Sequence, residues 1–124
     1  MANPNIVNVT VINGNSSQVS LSTTSATSLA SNASASGKVY KINSIVVSNT
    51  NGTTAANITI NIYSAAALGG TAYPIASTIS VPANATLVVT DKTTTFYLLE
   101  NQSIGATAGT ANYLTVASSW EEIT

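Results

Sequence analysis

The chain contains no histidine, no cysteine and no arginine, and its ionisable groups beyond the tyrosines amount to three lysines and four acidic residues. These absences remove whole classes of chemistry. Without His or Cys there is no Ser-His-Asp or Cys-His arrangement, no thiolate nucleophile, no disulfide framework and no His- or Cys-ligated metal. Three lysines cannot build the basic stripe that nucleic acid requires, so no nucleic-acid partner is expected. No run approaches the length of apolar sequence that a spanning helix needs, so no membrane is expected either. The opening Met1-Ala2-Asn3-Pro4-Asn5 lacks the basic segment and following apolar run of a secretory signal.

The few acidic residues, Asp91, Glu100, Glu121 and Glu122, are scattered except for the last two. Neighbours on a strand point to opposite faces, so Glu121 and Glu122 do not converge on one substrate atom as a carboxylate pair. They suit a solvated C-terminal edge or a contact between subunits. A Ser-Lys dyad built on Lys38, Lys41 or Lys92 has no accompanying motif. The sequence therefore predicts a protein that is not an enzyme and binds no metal or cofactor.

What remains is Ser, Thr, Asn, Ala, Val and Ile. Only 6% of residues are charged, against about a quarter in typical soluble domains. A dispersed monomer ordinarily keeps mixed charge on its surface, so a neutral surface points to one partly covered by partners. With 124 residues, the chain is predicted to fold as one domain, 1–124, burying roughly two-thirds of its unfolded surface.

Alternating β-branched residues predict strands rather than helices. Ile6 to Ile12 places Val7, Val9 and Val11 on one face, Asn13-Gly14-Asn15 supplies a turn, and Gln18 to Ser22 returns. Thr23 to Gly37 offers only Leu29 as a large apolar residue and is read as a loop or surface-laid arm, so that 1–37 forms an N-terminal strand plus an extended arm. Val39 to Ser48 contains the unbroken Ile45-Val46-Val47 of a central strand. Ala56 to Tyr63 alternates, with Ile58, Ile60 and Ile62 inward and Tyr63 outward. Ala65 to Leu68 has the makings of one helical turn that Gly69-Gly70 ends. Ile75 to Val81, Thr86 to Thr90, Phe96 to Leu99, Ser103 to Ala108 and Tyr113 to Ser119 complete the set. The predicted fold is all-β: an antiparallel β-sandwich or jelly-roll-like barrel of about eight to nine short strands.

Four sequons, beginning at Asn8, Asn57, Asn84 and Asn101, arise from a composition rich in Asn, Ser and Thr. Tyr63, Tyr73 and Trp120 have the chemistry to stack on sugar rings, although such residues more often fill a core or an interface.

Several stretches resemble the small β-sandwich virion proteins of tailed phages, especially of cyanophages and other marine phages. They are Lys41 to Asn49 (KINSIVVSN), Ile75 to Thr86 (IASTISVPANAT), Tyr97 to Ile104 (YLLENQSI) and the ending Ser118 to Ile123 (SSWEEI). Where such proteins commonly carry Glu-Gly-Asp after the Tyr-Leu strand, this chain has Glu100-Asn101-Gln102. The resemblance implies a capsid decoration (cement) protein, assembled in the host cytoplasm, that binds the major capsid protein or other virion proteins and recurs as a homo-oligomer on the particle. The alternatives are a neck, tail or fibre-associated adaptor, or a carbohydrate-binding surface module. The residues expected at inter-subunit contacts are Ile6, Val7, Val9, Val11, Leu29, Trp120, Glu121 and Glu122.

Overall fold

The computed structural model describes residues 4–124. Nine antiparallel strands follow one another: β1 (Ile12–Ser20), β2 (Thr27–Asn32), β3 (Val39–Asn49), β4 (Ala56–Ala65), β5 (Gly69–Val81), β6 (Thr86–Thr90), β7 (Phe96–Leu98), β8 (Gln102–Ala108) and β9 (Leu114–Ile123). One sheet runs β1-β9-β3-β6, with the short β7 also pairing β3, and the other runs β2-β8-β4-β5. First pairs with last throughout: β1 with β9, β2 with β8, β3 with β6 and β7, β4 with β5. The chain is thus a long antiparallel ribbon wrapped into two facing sheets, the jelly-roll form of the β-sandwich.

The core lies between the sheets, where alternate residues from both inner faces meet. β3 contributes Ile42, Ile45 and Val47; β4 contributes Ala56, Ile58 and Ile60; β8 contributes Ile104, Ala106 and Ala108; β9 contributes Leu114, Val116 and Trp120. The indole of Trp120 stacks on Tyr40, ring centroids 6.1 Å apart. Two buried asparagines hold the connections on either side of β3. Asn32 donates to the carbonyls of Lys38 (2.9 Å) and Leu98 (3.3 Å) and accepts from the Ser36 hydroxyl (2.6 Å). Asn49 donates to the carbonyls of Thr54 (3.0 Å) and Val81 (2.9 Å).

The structure departs from the sequence expectation mainly before residue 38. Ile6 to Ile12 is not a strand: Asn5 folds the chain into a turn by accepting the amides of Val7 and Asn8. Val7, Val9 and Val11 therefore share no strand face. Asn13-Gly14-Asn15 is no hairpin turn, because all nine residues of β1 pair in unbroken register with β9. A distant partner strand overrides a local turn signal. The presumed arm contains β2, whose register shifts between Ser28 and Ala30, so that Leu29 and Ala30 are buried in succession. That bulge breaks the period-two signature by which a strand is recognised.

At the far end of β4 the expected alternation also fails. Ile62 is only half-buried, whereas Tyr63 is buried on the outer face. The turn after β4 is a hairpin loop, not a helical turn, and it folds Leu68 back onto that face. A Cβ at Gly105 would come within 2.8 Å of Leu68 Cδ2 and 3.0 Å of Tyr63 Cε2, so the glycine makes room for both. Ser103 pins the loop, donating to the Ala65 carbonyl and accepting the Leu68 amide, each at 2.8 Å.

Candidate interaction surface

Among the described residues, no cluster of three or more acidic side chains stands ready to hold a metal. The charged groups that do meet are structural. Glu122 Oε2 accepts from Asn15 Nδ2 at 2.7 Å and from Trp120 Nε1 at 3.3 Å, and Oε1 pairs with Lys38 Nζ at 3.2 Å. One carboxylate thus ties β1, β9 and the entry to β3 at a single end of the sandwich. Partial burial pushes its pKa up, but the three hydrogen bonds and the Lys38 charge outweigh that, leaving the carboxyl below its ordinary range. Burial, with the Glu122 charge second, raises the phenol of the nearby Tyr40.

The sign of the Glu122 effect fixes a pH dependence. A depressed carboxyl contributes stability that is present above the pKa of the unfolded chain and lost as pH falls through the folded value. The urea midpoint is expected to drop on acidification below the ordinary carboxylate range, and Glu122→Gln is expected to remove part of that drop. An identical acid profile in the variant would show that the cluster is energetically silent.

Glu121, one residue earlier, faces the other way, opposite Gly14 on β1 and Lys41 on β3. The two glutamates therefore separate, as strand alternation requires. Glu100 is isolated, its two carboxylate oxygens buried with no hydrogen-bond donor.

A different feature dominates the same end of the molecule. Ile12, Ile123 and Val39 lie side by side across β1, β9 and β3. Pro4 and Ile6 fold over this outer face and, together with Val39, Tyr97 and Leu99, line an open apolar cleft of about 220 Å³. Of its lining Ile6, Tyr97 and Leu99 are exposed, and along the chain from Ile6 so are Val7, to 91%, Val11 and Ile12. Six of the ten exposed large hydrophobic side chains of the described residues thus belong to two short stretches, residues 6–12 and 97–99, which meet at the cleft through Ile6, Tyr97 and Leu99.

Of the residues expected at contacts, Ile6 lines the cleft, Val7 and Val11 are exposed and Val9 is half-buried. Leu29 and Trp120 do not: both belong to the core, 4% and 7% exposed. Leu29 is drawn in by the β2 bulge, and Trp120 by its place on the inner face of β9 against Tyr40. Ile12, Tyr97 and Leu99 were missed by sequence reasoning. Tyr97 and Leu99 flank the inward Leu98, an alternation legible in the sequence but too short to separate the two faces.

The fold is an all-β sandwich of two packed antiparallel sheets. No family model matches the chain, and no curated protein sequence matches it. Among solved structures, a chain from the disulfide-linked pili that form Bacillus endospore appendages superposes with a TM-score of 0.53 at 18% identity, over 91% of this chain and 85% of that one. The likeness extends over nearly all of both chains and is one of fold.

Proposed function

We propose that this protein is a non-catalytic structural subunit that works by packing against other protein subunits, and that its place is the outer surface of a tailed-phage head, as a decoration protein on the major capsid lattice. The observation that carries the reading is the apolar face at the N-terminal end, where Pro4 and Ile6 partly cover Val39, Tyr97 and Leu99 and leave Val7 in solvent. Apolar side chains gathered around a shallow cleft gain by being covered, at about 25 cal/mol for each Å² removed from water. Low charge supports the same reading, because little long-range attraction exists to replace that burial.

Val7→Asp is the direct test. The side chain is almost wholly exposed, so the melting temperature should stay within about 2 °C of the parent, while occupancy on particles stripped of the protein falls about tenfold or more. Occupancy of the parent should change little between low salt and about 0.5 M salt. Undiminished binding of the variant would remove this face from the contact. Quantifying the protein against the major capsid protein in purified particles separates the head, where the two rise together, from a neck, tail or fibre site with few copies.

A second reading is favoured by the structural neighbour: a subunit of an extracellular appendage built from repeated copies. The neighbour's pili are disulfide-linked, and a chain without cysteine would have to hold such a polymer by packing and main-chain pairing alone. Particles, or filaments, in which the protein is found decide between the two. Of the three stacking candidates of the carbohydrate-binding reading, Trp120 and Tyr63 are buried and Tyr73 is exposed.

A further inference from the structure

The five strands at the lateral edges of the two sheets are not alike, with β6 and the three-residue β7 sharing one edge beside β3. β5 carries Pro74, three register shifts against β4, and Thr78 in a left-handed conformation (φ 50°). β6 is five residues long and carries an extra residue against β3 between Ile45 and Val46. β2 is six residues long and bulged. Short length, proline and bulges are the devices by which proteins keep sheet edges from pairing with other chains. β1 has none of them: it is nine residues long, pairs with β9 without a shift, and contains no proline and no charged residue.

The hydrogen bonds show which groups β1 leaves open. The Leu21 amide bonds the Leu114 carbonyl at one end, and the Thr124 amide bonds the Val11 carbonyl at the other. Odd-numbered residues between them therefore address β9, and the amides and carbonyls of Ile12, Gly14, Ser16, Gln18 and Ser20 point away from the sheet. Among the described residues one of these amides has a partner, that of Ser16, which takes its neighbour Asn15 Oδ1 at 2.9 Å.

We infer that β1 is the pairing edge for a second copy of this chain, β1 against β1 in antiparallel register about a two-fold axis at Ser16. Two-fold pairing sets each residue against a residue of the same strand: Ser16 on Ser16, Gly14 on Gln18, Ile12 on Ser20. A strand bearing net charge would repel itself in that register, and β1 bears none. Of the charges nearest the edge, Glu122 is paired with Lys38 at 3.2 Å and Glu121 lies in register with Lys41 on β3. The open groups exchange about ten main-chain hydrogen bonds across the axis, and the two five-stranded sheets become one continuous sheet. The contact uses the backbone edge of β1, not the apolar cleft, so it stands or falls separately from capsid binding.

Two variants test it on the isolated protein. Ser16→Pro removes an amide that no strand of the chain uses, at a position where an edge strand accepts proline. The fold, followed by melting temperature, should persist while the dimer dissociation constant measured by light scattering rises tenfold or more. Ser16→Cys sets the sole cysteine opposite its own copy at the roughly 5.5 Å Cα spacing of a hydrogen-bonded pair, within disulfide range. It should yield a covalent dimer under mild oxidation, whereas Ser20→Cys, opposite Ile12, should not. A parent protein that is monomeric across the micromolar range, a Ser16→Pro dimer as tight as the parent, or equal crosslinking at 16 and 20 would each overturn the inference. Loss of the dimer in Ser16→Pro with particle binding by the monomer intact would support it; loss of particle binding in Val7→Asp with the dimer intact would leave it standing.

Discussion

Truncating Ile60 to alanine is expected to cost about 2–5 kcal/mol and to lower the melting temperature by about 10 °C or more. Ile60 sits in the middle of β4 with no exposed surface, beside the equally buried Ile58 on the inner face of its own sheet. β4 is hydrogen-bonded to β8 along one side and β5 along the other, so the backbone is held and the strand cannot move in to fill the void. Cavity cost is largest where collapse is blocked. Ile62→Ala is the control. Its side chain is half-buried near the strand end, and the same truncation should cost about 1 kcal/mol. Equal losses at both positions, measured by urea denaturation, would mean that the core extends further along β4 than the burial pattern indicates.

The contrast between Ile60 and Ile62 shows what the sequence conveys and where it stops. From Val39 onward most strands were legible because period-two alternation and β-branched residues coincide with regular pairing: the central β3, the amphipathic start of β4, and β6 through β8 lie where the pattern puts them, whereas β5 begins at Gly69 instead of Ile75 and β9 continues past Ser119 to Ile123. Alternation says which residues share a face. It does not say where the opposing sheet ends, and Ile62 lies toward that limit while Tyr63 is covered by Leu68 from a loop that the sequence presents as helical. Before Val39 the signal misleads for two physical reasons. In β1 the partner is β9, about a hundred residues away in the chain, and Asn13-Gly14 reads as a hairpin turn only to an observer who looks for a local partner. In β2 the bulge buries Leu29 and Ala30 together, so a core strand takes on the pattern of an arm.

The candidate contact surface was legible in the same uneven way. The segment Ile6 to Val11, read as a strand and expected at contacts, does expose Ile6, Val7 and Val11, although it begins as a turn and not as a strand. Tyr97 and Leu99 reach the same face only because β7 pairs with β3 beside Val39, a long-range pairing no local pattern announces. Trp120 misled for the opposite reason. A lone tryptophan beside two glutamates near the end of a chain looks like an interface anchor, yet the Glu122 carboxylate accepts its indole N–H and so allows the ring to remain in the core.

Replacing Asn32 with aspartate is the second change expected to have a large effect, and its signature is a reversed pH dependence. Asn32 is fully buried and spends both amide hydrogens on main-chain carbonyls, those of Lys38 and Leu98, while its oxygen accepts from Ser36. An ionised aspartate has no hydrogen to give, so two carbonyls lose their donor and confront a buried negative charge. Leaving buried polar groups unpaired costs about 1–3 kcal/mol apiece, and the charge adds to this, so a loss of about 4 kcal/mol or more is expected at neutral pH. The new carboxyl titrates upward in the folded state, because burial and the facing carbonyls disfavour its charged form. A raised carboxyl pKa means that the folded state binds the proton more tightly than the unfolded one, so the penalty shrinks as pH falls through the folded pKa toward the unfolded value. Protonated, the side chain regains one donor and can serve one of the two carbonyls. The difference in urea midpoint between the parent and Asn32→Asp should therefore be largest at pH 7 and narrow toward pH 4, with Glu122 common to both proteins and cancelling in the comparison. A gap independent of pH would show that the aspartate reaches solvent, and that the β2–β3 connection closes over Asn32 less tightly than its hydrogen bonds imply.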